Sequence, residues 1–307
     1  MWAQDGEWIA AIRHAQTQLS QRRLPEAAES AKEAVRIAKD FGPADDRLAL
    51  SYFQTGNIYR EWGRCTEARA NFSRAIVVWR KQPHPRPKYL FNAMISLLDV
   101  MCECEDYPGL TRKFRSFSAD LQRFRSDAID DAHLFCIRGL IARGAKHYRE
   151  AEGYYRQEIE LLQKTPGAAP LQIEEERVNL AMVLGQQGRH EESLAESEHV
   201  IAFLDRDGPA HPVTFAGALN NAACALADLG RKEEAQRNFE RALQVAVNAV
   251  GEDTRFTARI MLNYARVLRE NKETPAAQAM KQRGTTAYHR AILRDSSTVD
   301  ALDLHGP

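Results

Sequence analysis

The sequence predicts an all-α protein built as an α-solenoid of about seven similar helix pairs. A small-residue slot recurs every 41 or 42 residues, at Ala27, Ala68, Leu110, Ala151, Ser193, Ala235 and Ala277. Apolar residues recur every three or four positions around each slot, which is the period of one buried helical face. A fixed internal repeat of this length is typical of repeat architectures. We therefore predict one array over residues 1–294, with its units centred on these slots.

Each unit is expected to contain a helix A, a tight turn and a helix B. In the second unit, helix A is predicted from about Arg47 to Trp62. Gly63 then supplies the backbone freedom that a C-terminal helix cap requires. Gly56, in the middle of helix A, is expected to let the neighbouring helix approach closely. Helix B follows with Ala68 and Phe72 on one face.

Linkers are predicted where proline, glycine and charged residues gather between the helices. They are Lys81–Lys88, Lys164–Pro170, Asp205–Val213 and Val250–Arg255. Proline in such a segment ends one helix and fixes the entry into the next. The third unit departs from the pattern, with Gly109 and Leu110 at the positions of the usual acid and alanine. Residues 295–307 show no sustained period, and we predict a disordered tail there.

The charge balance and the hydropathy of the sequence limit the kinds of partner that we expect. Lys plus Arg and Asp plus Glu are 42 each, so no overall field draws the chain to nucleic acid or to anionic lipid. No apolar stretch approaches the roughly 20 residues of a membrane span. The N-terminus carries acids where a signal peptide has bases. We therefore expect a cytoplasmic protein whose partner is neither nucleic acid nor membrane.

Nothing in the sequence predicts catalysis or a bound cofactor. The five cysteines match no zinc-ligand spacing and are expected to be ordinary thiols in a reducing compartment. The chain lacks a nucleophile elbow, a paired-histidine zinc motif and a glycine-rich phosphate loop. The carboxylates at Glu174–Glu176 and Glu233–Glu234 are interpreted as solvated helix starts, favoured by the helix dipole. We predict a protein that is not an enzyme and holds no metal.

The repeat resembles the tetratricopeptide repeat, and its 42-residue period is similar to that of the kinesin light chain. The best match is DGPAHPVTFAGALNNAACALADLGRKEEAQRNFERAL at Asp207–Leu243, and the likeness covers about residues 7–290. The resemblance implies a right-handed superhelix whose groove is lined by the A helices. It also implies a scaffold that binds a protein or an extended peptide.

The groove prediction centres on a row of asparagines. Asn179, Asn221 and Asn263 occupy the same slot in three successive units, 42 residues apart, and Asn220 lies beside the middle one. An amide side chain both donates and accepts, so this row could hold the main chain of an extended peptide. Alternatively, the asparagines connect adjacent A helices and set their packing. Both interpretations stay open at this point.

Two arginines accompany the row. Arg259, Asn263 and Arg266 are spaced four and three residues apart on the last A helix, so they share one face. A basic end to the groove favours an acidic or carboxylate-bearing ligand. The alternative is that both arginines are ordinary solvated side chains.

Two other functions compete with a peptide-binding scaffold. The array could be a regulatory peptide sensor within a signalling complex. It could also be a structural protein that self-associates, which would be favoured if Trp2, Trp8 and Trp79 were exposed.

Overall fold

The computed structural model describes residues 2–83, 86–205 and 211–296. Within these ranges the regular elements are fourteen α-helices. They are α1 Trp2–Ser20, α2 Leu24–Lys39, α3 Asp46–Glu61, α4 Cys65–Arg80, α5 Pro87–Glu103, α6 Tyr107–Phe124, α7 Ala128–Gly144, α8 Tyr148–Lys164, α9 Pro170–Gln186, α10 His190–Asp205, α11 Pro212–Asp228, α12 Lys232–Val250, α13 Arg255–Glu270 and α14 Thr274–Ser296. The all-α fold with seven helix pairs is confirmed. Odd-numbered helices are the A helices and even-numbered ones are the B helices.

The chain divides into two compact units after Ser126. Helices α1–α6 and the last residues of α14, from Arg294, belong to the first unit, and the second unit spans Asp127–Leu293. In the second unit, α9 contacts α11 and α11 contacts α13, so successive A helices lie side by side. A single array over 1–294 and a right-handed superhelix stay predictions. The predicted tail lies outside the described residues from 297 onward, and α14 reaches Ser296.

All seven turns from an A helix to its B helix share one conformation. In each, a residue with positive φ stands five positions before the small-residue slot: Arg22, Gly63, Glu105, Lys146, Gly188, Gly230 and Lys272. The next amide donates to a carbonyl five residues back, as Arg64 N does to Tyr59 O at 2.8 Å. This is the Schellman cap, which satisfies the last carbonyls of a helix. Four of the seven positions are not glycine, so the turns are more regular than their glycine pattern indicates.

Helix starts follow the predicted linkers. Pro87, Pro170 and Pro212 each begin an A helix, at a position whose amide has no partner within the helix. Other starts are capped by side chains. Asp127 accepts from the Asp130 amide at 2.9 Å, and Thr254 accepts from the Thr257 amide at 3.1 Å. Such caps contribute about 1 kcal/mol each to helix stability.

Glycine in the A helix sets how closely the paired B helix approaches. A Cβ at Gly56 would lie 2.8 Å from ring atoms of Phe72, and one at Gly139 would lie 2.6 Å from Tyr155 Cε1. Both aromatic side chains are fully buried. The close approach predicted for Gly56 is therefore confirmed, and the fourth helix pair repeats it.

The expectation that all five cysteines are thiols was wrong for two of them. Cys65 and Cys104 form a disulfide with a Cα–Cα distance of 6.1 Å. Cys65 is the first residue of α4, and Cys104 follows the last residue of α5. The repeat brings the start of a B helix beside the end of the next A helix, a proximity that the 39-residue separation hides. Cys102, Cys136 and Cys224 are free thiols.

Of the three tryptophans considered for self-association, Trp8 and Trp79 are not fully exposed. Trp79 is fully buried between Phe53 and Tyr89, and the Trp8 indole donates to Ser51 Oγ at 2.8 Å. The Trp2 side chain lies outside the described residues.

Candidate functional site

The predicted site residues lie on three adjacent A helices of the second unit. Asn179 belongs to α9, Asn220 and Asn221 to α11, and Arg259, Asn263 and Arg266 to α13. Met182 of α9 and Cys224 of α11, which the sequence did not predict, follow their asparagines by three positions, as Arg266 follows Asn263. We call the pairs Asn179 and Met182, Asn221 and Cys224, and Asn263 and Arg266 the asparagine face. Each pair is three positions apart, so its members lie on the same side of their helix. The contacts of α9 with α11 and of α11 with α13 make this face continuous across the three helices.

The central asparagine connects neighbouring A helices. Asn221 Nδ2 donates to the main-chain carbonyl of Val178, 43 residues earlier, at 2.9 Å. Asn263 Nδ2 makes the equivalent contact one unit later, but it donates to the side-chain oxygen of Asn220 at 3.0 Å. Asn220 in turn donates to Asn221 Oδ1 at 3.4 Å. The packing role of Asn220, Asn221 and Asn263 is thus observed, and their ligand role stays a proposal.

The outer asparagines differ from the middle one in exposure. Asn220 and Asn221 are each 7% exposed, whereas Asn179 and Asn263 are half-buried. Asn179 Nδ2 donates within its own helix to Glu176 Oε2 at 3.1 Å. An amide has two N–H donors and an oxygen acceptor. One such contact leaves Asn179 and Asn263 with further hydrogen-bonding capacity toward a ligand, and they are the members of the row that solvent reaches.

The two arginines have different surroundings. Arg266 Nη1 lies 3.1 Å from Asp228 Oδ1 and 3.2 Å from Glu270 Oε1, so two acids already neutralise it. These ion pairs raise the pKa of its guanidinium against the opposing effect of burial. Arg259 is exposed, with its guanidinium carbon 5.8 Å from the centre of the Phe256 ring. Arg259 is the more exposed of the two arginines, and a ligand reaches it more readily.

Cys224 lies between Asn221 and Asp228 on α11 and is half-buried. Burial raises the pKa of its thiol to about 11, although Arg266 opposes the shift. A thiol with this pKa stays protonated at neutral pH and reacts slowly. Cys224 therefore contributes a polarisable surface to the face and not a nucleophile.

The interpretation of Glu174–Glu176 as a solvated helix start was wrong. Glu174 is 4% exposed and Glu176 is 7% exposed, because α9 turns both toward neighbouring helices. Glu174 lies 3.4 Å from His199 Nε2 and 3.6 Å from Arg177 Nε. Burial raises the pKa of Glu174, and His199 and Arg177 oppose the rise. Glu175 between them is exposed, as the sequence predicted.

Glu176 belongs to a cluster that the sequence did not predict. A ligand atom from each of Cys136, Glu158 and Glu176 lies within 4.8 Å of the other two. The three residues come from α7, α8 and α9, and Glu158 is 1% exposed. Cys136 Sγ donates to Glu176 Oε1 at 3.5 Å. No motif could have revealed this cluster, since its members are 18 or more residues apart and meet only through packing.

Comparison with known proteins identifies the repeat. The sequence model described as "Tetratricopeptide repeat" matches residues 214–289, which span α11–α14 almost entirely. No curated protein matches the sequence. None of the helices in the described ranges has the length and hydropathy needed to cross a bilayer.

Solved structures with the same fold are distant in sequence. The Rap conjugation gene regulator of plasmid pLS20, in complex with the Phr* peptide, is 11% identical with a TM-score of 0.71, covering 95% of this chain and 76% of that one. NprR in complex with its cognate peptide NprX is 10% identical with a TM-score of 0.64, covering 96% and 82%. A tetratricopeptide repeat protein from Parabacteroides merdae is 17% identical with a TM-score of 0.52, covering 97% and 96%.

The family match, the seven equivalent turns and the structural likeness agree on the type of repeat, while the kinesin-light-chain variant stays a prediction. Residues 214–289 match the tetratricopeptide repeat, and the rest of the chain shares the helical-repeat fold of these proteins.

Proposed function

We propose that the asparagine face binds an extended peptide or an extended segment of a protein partner. The observation that carries the proposal is the continuous polar row across α9, α11 and α13, whose outer amides are half-buried. Main-chain groups of an extended segment need donors and acceptors at regular spacing, and amide side chains supply both. Rap and NprR are described with bound peptides on the same fold, which supports this kind of partner.

The ligand is expected to carry an acidic group near α13. Arg259 is exposed at that end of the face, and a guanidinium recognises a carboxylate with two parallel hydrogen bonds. Arg266 contributes less, because Asp228 and Glu270 already neutralise it. The acidic preference therefore rests on Arg259.

A regulatory peptide sensor would use the same face. The Rap protein above is described as a gene regulator in complex with a peptide, which favours this second function. Both functions are non-catalytic, and a cytoplasmic setting belongs to the same proposal.

The test uses a phage library of short random linear peptides, from which those that bind the full chain are enriched. The affinity of the enriched peptides for the chain is then measured by calorimetry. We expect enriched peptides to be acidic. The double change Asn179→Ala and Asn263→Ala should weaken binding about fivefold for each main-chain hydrogen bond lost. Arg259→Ala should weaken it about two- to fivefold, with a larger effect at low salt.

Arg237→Ala is the matched control, because Arg237 is an exposed arginine on the B helix α12. It should leave the affinity unchanged. Equal losses for Arg237→Ala and Arg259→Ala, or unchanged affinity in the asparagine double variant, would refute the proposed site.

A further inference from the structure

Two buried carboxyl groups meet at the junction of α7, α8 and α9. Glu158 is 1% exposed and Glu176 is 7% exposed, and their oxygen atoms lie within 4.8 Å of each other. Two carboxylates this close in a buried site cannot both stay ionised without a large energetic cost, so such pairs retain a proton.

The hydrogen bonds around Glu176 identify where that proton lies. Its Oε1 accepts from the Cys136 thiol, and its Oε2 accepts from Asn179 Nδ2. A carboxyl oxygen of Glu158 lies within 4.8 Å of a Glu176 oxygen. The hydrogen bonds from Cys136 and Asn179 favour the ionised form of Glu176. The arrangement therefore assigns the retained proton of the pair to Glu158.

We propose that Glu158 and Glu176 share one proton, which joins α8 to α9 and makes the stability of the second unit fall as the pH rises toward neutrality. Above neutrality the proton passes to solvent, and two adjacent buried carboxylates remain. The junction then gains a repulsion between the two carboxylates.

Among the described residues, titratable groups on α7, α9 and α10 lie near the pair. His133 on α7 lies one turn before Cys136, and its Nε2 is 3.4 Å from Gln172 of α9. The exposed Glu175 carboxylate adds a like charge that raises the pKa of Glu176 further. On the α10 side of α9, Arg177 pairs with Glu196 at 2.5 Å and His199 pairs with Glu174. From α11, Thr214 contacts Glu175.

The direction of the pH effect follows from proton counts. Burial raises the pKa of Glu176 to about 7, whereas hydrogen bonds from Asn179 and Cys136 oppose the rise. In the unfolded chain both carboxyls ionise near their usual pKa of about 4.3. Between about pH 5 and pH 7 the folded pair thus holds one proton more than the unfolded chain. The unfolding equilibrium constant should rise about tenfold per pH unit over this range.

The experiment is urea unfolding of the full chain from about pH 5 to pH 8, followed by two probes. All four tryptophans precede residue 80, so their fluorescence reports only the first unit, while far-ultraviolet circular dichroism reports both. Glu158→Gln replaces the shared proton with an amide donor of similar shape. Glu160→Gln is the control, because Glu160 is an exposed residue of the same helix.

For the wild type and Glu160→Gln, we expect the unfolding equilibrium constant of the second unit to rise with pH. Per pH unit, this rise should be about tenfold larger than the rise for Glu158→Gln. The fluorescence transition should show no such difference. Identical pH profiles for wild type and Glu158→Gln would overturn the proposal.

A direct titration keeps the proposal testable if Glu158→Gln does not fold. Carbon-13 spectra of the glutamate carboxyl groups in the wild type should contain a resonance that titrates near pH 7, and Glu176→Gln should lack it. The absence of any glutamate carboxyl titrating above about pH 5.5 would overturn the shared proton.

Discussion

The side-chain amide of Asn221 donates to the main-chain carbonyl of Val178, 43 residues earlier, at 2.9 Å. The contact ties α11 to α9 at a position where both helices are largely buried. It also gives the buried Asn221 amide an acceptor before any ligand is considered, and a buried N–H without an acceptor costs free energy.

Asn221→Ala should therefore lower the free energy of unfolding of the second unit by about 1–3 kcal/mol. Urea unfolding followed by circular dichroism measures this loss. Asn248→Ala is the control, because Asn248 is exposed on α12 and its replacement should cost nothing. If Asn221 also contacts a peptide, the affinity per folded molecule falls as well; a purely structural role leaves that affinity unchanged. If the free energy of unfolding of Asn221→Ala equalled that of the wild type, the packing role would be contradicted.

Gly139→Ala should destabilise the fourth helix pair. The added Cβ would lie 2.6 Å from Tyr155 Cε1, and the ring is fully buried, so α7 and α8 must separate. Overpacking of this kind costs about 1–3 kcal/mol. The measurement is again urea unfolding of the second unit.

Gly153→Ala on α8 is the matched control, because a Cβ there meets no atom within 4 Å. It should stabilise the helix by up to about 1 kcal/mol, since alanine favours helix more than glycine does. Equal effects of the two alanine substitutions would show that α7 and α8 do not approach as closely as described.

The repeat could be predicted from the sequence because its signals are local. The small-residue slots, the turn five residues before each and the linkers all depend on neighbours along the chain. The turn at Lys146 still has the same positive φ as the glycine turns, because the hydrogen bonds of the cap impose it on a residue without that preference. The local sequence pattern thus predicted the helices and linkers. The hydrogen bonds of the folded turns imposed the same conformation on turns whose residues do not favour it.

The candidate site could be predicted only in part. The asparagine row follows from the 42-residue period, but the partner of Asn221 is a main-chain carbonyl, which has no sequence signal. Glu176 was assigned to the surface because helix starts favour acids, yet the packing of α7 and α8 against α9 buries it. The Cys65–Cys104 pair was missed for the same reason, since it depends on which helix ends meet.

The disulfide should be detectable by counting thiols. Denatured protein without reductant should react with three equivalents of a thiol reagent, from Cys102, Cys136 and Cys224, and reduced protein with five. Because the bridge closes a segment with a sequence separation of 39, its loss should cost the first unit up to about 4 kcal/mol.

Tryptophan fluorescence follows that unit during unfolding with and without reductant. A Cys136→Ser variant, which leaves the bridge intact, should retain the full response to reductant. Five reactive thiols in unreduced protein would contradict the disulfide.

Hydrogen exchange tests the binding face most directly. The full chain is compared with and without a saturating peptide from the phage selection, and exchange is read in segments that separate the A helices from the B helices. We predict slower exchange within 170–186, 212–228 and 255–270, the spans of α9, α11 and α13, with α10 and α12 unchanged. Slowing confined to α10 and α12, or to the helices of the first unit, would contradict the asparagine face as the peptide-binding site.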